Sequence, residues 1–192
     1  MPVLTVFAGP NGSGKSSFIR QIEFEGKLNL LEPNAIARNM NEEDPRQAGI
    51  AAGREVLRRT AECVLTKESF AIETTLAGKW TDSAIRAAQQ KSFFIRLFYV
   101  CLDNPERCIQ RVRERVKNGG HDVPDRDIRR RYGRSLYNAR RLLRIVDQAL
   151  VFDNSGAEPK RLLEIRHGQV LDRSDAMPDW ATRLIDVPSG PP

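Results

Sequence analysis

The sequence holds little that a secreted, membrane-spanning or metal-centred protein would need. Three of its 192 residues are cysteine and two are histidine. Cys63, Cys101 and Cys108 are odd in number and lack the paired spacing of a metal site. They read as reduced, packed thiols of a cytoplasmic protein. No apolar run reaches the ~18 residues of a membrane span. The start, MPVLTVFAGP, lacks the basic residues and long apolar stretch of a secretory signal. Repeats, low-complexity blocks and linkers are also missing, so 1–185 reads as one domain and 186–192 as a disordered tail. Aromatics are scarce, at 7%, and are not interleaved with the basic residues as a base-stacking surface requires, so nucleic acid is not an expected partner. A DExx run on a strand and a guanine-reading N-K-x-D segment are absent too, and the chain is short for a motor.

What is present alternates between strand-like and helix-like segments. Val3 to Ala8 is a short apolar run that reads as a buried strand, with a helix from Ser16 to about Phe24. LNLLEP holds a second strand, SFAIETTL a third ending near Glu73, and SFFIRLFYVCL the strongest one. Helices are expected from Asp44 to about Lys67, with Leu57, Ala61, Val64 and Leu65 on the inner face, and from Trp80 to Gln90. Pro105 opens another, with Cys108, Ile109, Val112 and Val116 inward, and Gly119-Gly120 ends it. A long helix from Asp127 to about Gln148 turns Ile128, Tyr132, Leu136, Ala139, Leu143 and Val146 inward. ALVFDNS is a further strand, and LLEIRHGQVLD reads as a late β-hairpin turning at His167-Gly168. The alternation predicts an α/β domain with a mostly parallel sheet flanked by helices.

Between the first strand and its helix, Gly9-Pro10-Asn11-Gly12-Ser13-Gly14-Lys15-Ser16 matches G-x-x-x-x-G-K-[ST] in full. Glycines at these positions let backbone N–H groups curl around a phosphate. Lys15 is expected to reach the β- and γ-phosphates, and the Ser16 hydroxyl to ligate magnesium. Gly9 through Ser17 are therefore the expected contacts of a nucleoside triphosphate, with Mg²⁺ as the metal.

The net charge of +6 is unevenly spread, with twelve arginines between Arg107 and Arg144. Arg111 and Arg115 share one helix face, as do Arg130 and Arg134 on the next helix, with Arg131 beside them. The glycine pair between the helices supplies a hinge. A kinase must exclude water from its reacting phosphate, and an arginine-bearing lid at about 111–134 would close for that purpose. A solvated basic surface accounts for the remaining arginines. His121 lies in the hinge, where substrate contact and a turn role are both open; His167 reads as a turn residue.

Together, GPNGSGKSS, FAIETTLAG, the run from FYVCLDNPERC through GGHDVPDRDIRRRYGRSLYNARRL, and VFDNS resemble the zeta-toxin family of P-loop kinases over about Val3 to Ser155. The resemblance implies a P-loop NTPase fold like that of nucleoside-monophosphate kinases, with an Arg-rich lid. It implies phosphorylation by Mg-ATP of a hydroxyl on a nucleotide sugar, UDP-N-acetylglucosamine in particular, and in some members an antitoxin protein as partner. Glu73, Thr74 and Thr75 match the substrate-contacting segment. Asp153 and Asn154 would lie near the adenine, and Lys15, Glu73, Arg111, Arg115, Arg130, Arg131 and Arg134 would be catalytic.

One departure stands out. The family's second strand ends in a motif resembling N-P-D-x-I-A, whose aspartate is the base for the acceptor hydroxyl. Here the segment is Glu32-Pro33-Asn34-Ala35-Ile36-Ala37, with Asn34 at the aspartate position. An amide takes no proton near neutral pH. Three readings are open: Glu32 or Glu73 takes over as base, transfer proceeds slowly without one, or the activity is largely lost. The acceptor would sit between the Glu32–Asn34 turn, Glu73-Thr74 and the lid, near His121. Alternatives are another phosphotransferase, such as an antibiotic or sugar kinase, and a catalytically weak nucleotide-binding module acting through a protein partner.

Overall fold

Strand β1 (Val3–Ala8) is buried at all six positions, as expected of a strand covered on both faces. The computed structural model describes residues 1–41, 44, 47–120 and 122–186. Two calls therefore lie outside the described residues: His121, and all of the expected 186–192 tail except Asp186. β1 lies between β3 (Phe70–Thr74) and β4 (Phe94–Cys101), parallel to both. β2 (Leu30–Leu31) flanks β3, and β5 (Gln148–Asp153) flanks β4, again in parallel. β6 (Lys160–Arg166) and β7 (Gln169–Arg173) extend the same sheet antiparallel, in the order β2-β3-β1-β4-β5-β6-β7. The β6–β7 hairpin turns at His167 (φ 48°) and Gly168 (φ 77°), the two positive φ values of a tight primed turn.

Alternation along the strands separates two cores. Leu4, Val6 and Ala8 of β1, with Ile95, Leu97 and Tyr99 of β4, join the large core under most of the helices. Phe7, Phe98 and Val100 face the other way, toward Phe18 and Ile19 of α1 (Lys15–Gln21). There Phe7 and Phe98 stack at 5.0 Å and 9°, giving the loop after β1 a rigid seat.

Helix α2 (Pro33–Met40) was not anticipated. EPNA reads as a turn, yet Pro33 stands at the first helical position, where its missing N–H costs nothing. α3 (Gly49–Thr66) buries Ala52, Val56, Thr60, Cys63 and Val64. Of the expected face only Val64 is inward; Leu57 is 50% and Leu65 76% exposed. The competing stripe has smaller side chains, and these let α3 approach α2 and α4 closely. α4 (Trp80–Gln90) and α5 (Pro105–Lys117) follow as expected, α5 capped by Asn104, whose side chain accepts from the Arg107 N–H. α6 (Asp125–Leu142) ends six residues early, although Leu143 and Val146 remain buried beyond it. α7 (Asp179–Ile185) went unread, with Trp180, Ala181 and Leu184 packed into the core. No helix among the described residues is long and apolar enough to cross a membrane. Cys63, Cys101 and Cys108 are free and buried. Burial pushes the Cys108 thiol up to about 12, so it stays protonated and inert.

Candidate active site

The loop after β1 is shaped by its backbone. Gly12 (φ 77°) and Gly14 (φ 91°) are left-handed, and a Cβ on either would collide with its neighbours. At Gly12 it would meet the Cys108 carbonyl oxygen at 2.4 Å; at Gly14, the Asn154 amide at 2.2 Å. The loop closes on itself, with Ser13 N–H donating to the Pro10 carbonyl at 3.3 Å. Lys15, only 6% exposed, donates to the same carbonyl at 3.0 Å. Just after β5, Asn154 donates through Nδ2 to the Ser13 carbonyl at 2.8 Å.

The carboxyl end of β3 brings an acid to this loop. Ser16 Oγ donates to Glu73 Oε2 at 3.0 Å, and Lys15 Nζ lies 3.8 Å from Glu73 Oε1. Burial holds the Lys15 ammonium below its usual range, and the Glu73 charge pulls it back up. Glu32, the N-cap of α2, makes a side-chain hydrogen bond with Glu73. Burial, then this bond and the Glu73 charge, push the Glu32 carboxyl up to about 7, opposed by Arg38 and Arg20. Two acids thus meet beside the loop lysine, and the Glu32 carboxyl keeps its proton up to about 7.

These groups line one cleft of about 1090 Å³, large enough for two ligands side by side. Its walls include Asn11, Gly12, Gly14 to Ser17, Glu32, Asn34, Glu73, Thr74, Thr75 and Asn154, all expected from the sequence. Four of the five expected arginines are there too. Arg111 donates to the Asn154 carbonyl at 2.8 Å, and Arg131 reaches Asn11 Oδ1 at 3.3 Å. Arg115 and Arg130 complete the set. Arg134 is exposed on α6 and lies outside the cleft lining. Asp153 does not line the cleft; its carboxylate accepts from Ser155 N–H at 3.0 Å and Oγ at 2.6 Å, shaping the turn that presents Asn154. The Thr74 hydroxyl is engaged with Thr81 Oγ1 at 3.1 Å and Leu76 N–H at 3.0 Å, so it holds the turn after β3.

In the expected lid region, α5 and α6 present Arg111, Arg115, Arg130 and Arg131 to the cleft. Ile128, Tyr132 and Ser135 anchor α6 in the core, and the Tyr132 hydroxyl donates to the Leu102 carbonyl at 2.7 Å. Across the outer faces, Arg113 pairs with Asp125 at 2.6 Å and Arg129 with Glu106 at 3.1 Å.

Arg20 and Arg38 also line the cleft and were not singled out from the sequence. The signal for Arg38 was the unread helix: with Pro33 at its start, Asn34 and Arg38 are four apart on one face. Among the described residues, no group of three or more His, Cys, Asp or Glu is arranged to hold a metal. Ser16 Oγ is a hard oxygen of the kind magnesium takes, and Glu73 fixes its direction. Such an ion would draw its other ligands from phosphates and water.

Comparison with known proteins bears on the family and the fold. Residues 4–134 match a family model described as AAA domain. An uncharacterized protein of Haemophilus influenzae is 29% identical over 126 residues, covering 66% of this chain and 89% of its own length. Among solved structures, one chain of the AvrRxo1-ORF1:AvrRxo1-ORF2 complex with sulphate ions superposes with a TM-score of 0.74 at 14% identity. The match takes in 96% of this chain and 64% of that one, so this chain spans under two thirds of that relative. The same complex solved with ATP gives 0.73 at 13% identity. A chain from the PezAT chromosomal toxin-antitoxin system of Streptococcus pneumoniae gives 0.63 at 15% identity, covering 85% of this chain and 72% of that one. With the family model spanning most of its length and these structures sharing its fold, the chain belongs to the AAA domain family and has a P-loop kinase-like α/β fold.

Proposed function

We propose that this protein is an ATP-dependent small-molecule kinase acting as a single unit over residues 1–185. It transfers the γ-phosphate to a hydroxyl of a nucleotide sugar such as UDP-N-acetylglucosamine. One observation carries the reading: Glu73 meets Lys15 and Ser16 at the carboxyl ends of β1 and β3, while four arginines of α5 and α6 line the same cleft. That is where open α/β sheets bind their ligands. The solved relative containing ATP and the sequence resemblance support the choice of nucleotide and acceptor.

In this reading the loop amides and Lys15 hold the β- and γ-phosphates. Ser16, directed by Glu73, holds magnesium, which neutralises phosphate charge when bound. Arg111, Arg115, Arg130 and Arg131 stabilise charge on the migrating phosphoryl group. Thr75, Asn34 and Arg38 face the acceptor, and Asn154 lies toward the nucleotide. A protein partner of antitoxin type belongs to the same proposal, supported by the toxin-antitoxin system among the structural relatives.

The test is mass spectrometry of small-molecule products. The protein is incubated with Mg-ATP and a panel of alcohols led by UDP-N-acetylglucosamine, with Lys15→Ala alongside. A phosphorylated nucleotide sugar from the wild type alone is expected. ATP binding without any phosphorylated acceptor would replace the kinase by a nucleotide-binding module.

A further inference from the structure

We propose that the outer face of α3 is a dimer interface, on which a second copy of this chain docks antiparallel across a two-fold axis beside Leu57. The inference is independent of the kinase reading. α3 carries two apolar stripes, and the chain itself buries one of them. Ala52, Val56, Cys63 and Val64 face the core. Ile50, Leu57, Ala61 and Leu65 recur at helical spacing on another side and form one continuous outer face. Ile50 is 75%, Leu57 50% and Leu65 76% exposed. Leu28, fully exposed, extends this surface at the rim of a groove of about 360 Å³ that it lines with Arg58, Glu62 and Thr66. A single exposed leucine needs no explanation, but large apolar side chains gathered on adjoining surface mark a contact. Among the described residues, none of α3 lines the cleft, so this face is separate from the phosphate loop.

The pattern on the face selects the partner. Leu57 stands nearly midway between Ile50 and Leu65, about 10 Å along the helix from the first and about 12 Å from the second. A copy turned by half a revolution about an axis at Leu57 therefore lays Ile50 against Leu65, and Leu57 against its own counterpart. The charges follow the same symmetry. Arg54 precedes Leu57 and Glu62 follows it, and both are exposed. Antiparallel docking brings each Arg54 to Glu62 of the copy, whereas parallel docking sets like charges together. Gly53 lies beside Arg54, and nothing stands within 4 Å of the place its Cβ would take, so the incoming Glu62 meets no side chain there. Arg58 bonds Glu55 as well as Glu62, and it keeps a partner when Glu62 turns to the copy. A wholly acidic or wholly basic partner would meet a like charge on this face; a second copy finds each sign matched.

One helix face with Leu28 is small against the roughly 800 Å² per partner of a standard interface, so the dimer is a weak one, with a Kd on the order of 10 µM.

The experiment is analytical ultracentrifugation of the full-length protein from about 1 to about 500 µM, a range that brackets this affinity. Wild type is compared with Leu57→Asp, Arg54→Glu and Arg54→Glu/Glu62→Arg, each checked for native circular dichroism. The wild type should pass from monomer to dimer as concentration rises. Leu57→Asp should raise the Kd at least ~30-fold, because the change acts on both sides of the axis. Arg54→Glu should raise it about tenfold, and the double variant should return to within about threefold of wild type. Leu57→Cys gives a positive readout. Two such residues facing across the axis come within the ~7 Å between Cα atoms that a disulfide needs, so mild oxidation should crosslink this variant. The wild type should not crosslink, since Cys63, Cys101 and Cys108 are buried. A wild type that stays monomeric up to about 500 µM overturns the proposal. A dimer that Leu57→Asp leaves intact, or a Leu57→Cys protein that fails to crosslink, overturns it as well.

Discussion

At one end of the cleft, eight consecutive residues from Gly9 to Ser16 form a loop whose backbone does the shaping. At the other end, Glu32, Asn34 and Arg38 come from α2, Glu73 from β3, Arg20 from α1 and Arg115 from α5. The first end is fixed by local φ values and close backbone contacts, so its sequence has little freedom. The second is assembled from side chains on four elements, any of which can exchange roles while the fold persists. The exchanged acid and amide around Pro33 sit at the permissive end. The difference teaches that the phosphate donor is recognised by geometry the motif dictates, whereas the acceptor is recognised by a set that only the fold gathers.

The comparison can be broken at several points, beginning with the largest effect. Lys15→Ala removes the buried ammonium from the loop and should lower phosphotransfer by about 10³-fold or more, read as product per unit time. Next, Gly12→Ala should destabilise more than Gly14→Ala. The added Cβ meets the Cys108 backbone at Gly12 but only the tip of the Asn154 side chain at Gly14. Strain of roughly 1–3 kcal/mol at Gly12 corresponds to a Tm drop of about 2–4 °C per kcal/mol, measurable by thermal denaturation. Equal drops for the two variants would erase the supposed rigidity of this end.

Also at the loop end, where Arg131 reaches Asn11, Arg131→Ala should raise the KM for ATP on the order of tenfold, the loss of a charge-assisted contact of roughly 1.5–3 kcal/mol. Arg134→Ala, outside the cleft lining, should leave kinetics within about twofold. Smallest is a pH effect on stability. The folded Glu32 carboxyl binds its proton more tightly than the ordinary value of 4.5 allows, with a folded value of about 7. Between these values the unfolded chain binds fewer protons, so stability falls as pH rises from about 4.5 to about 7. Tm measured against pH should show this decline in the wild type and a flatter curve in Glu32→Gln.

The same division governs how much was legible in the sequence. β1, the glycine loop and β4 are written in contiguous residues, and the structure places them as read. The arginine helices were legible as well. The buried anchors Ile128 and Tyr132 seat α6 in the core, so the charges face the cleft. α2 was lost because a helix start at Pro33 and a turn share one local sequence; only packing on α3 decides between them. The inner face of α3 was misread because two helical stripes compete and the bulkier one faces outward. Arg20 and Arg38 carry no motif, and their meeting with Glu32 is a product of topology. α7 had a usable signal, with Pro178 before Asp179 and an apolar Trp180, Ala181, Leu184 spacing.

The central claim is that this cleft moves a phosphoryl group from ATP to a hydroxyl of a nucleotide sugar. The most direct measurement is ³¹P NMR of the purified protein with Mg-ATP and UDP-N-acetylglucosamine, repeated with Lys15→Ala. The account predicts a new phosphomonoester resonance growing in step with ADP in the wild type and absent from Lys15→Ala. An ATP signal that persists unchanged, or one that yields only inorganic phosphate, would contradict it.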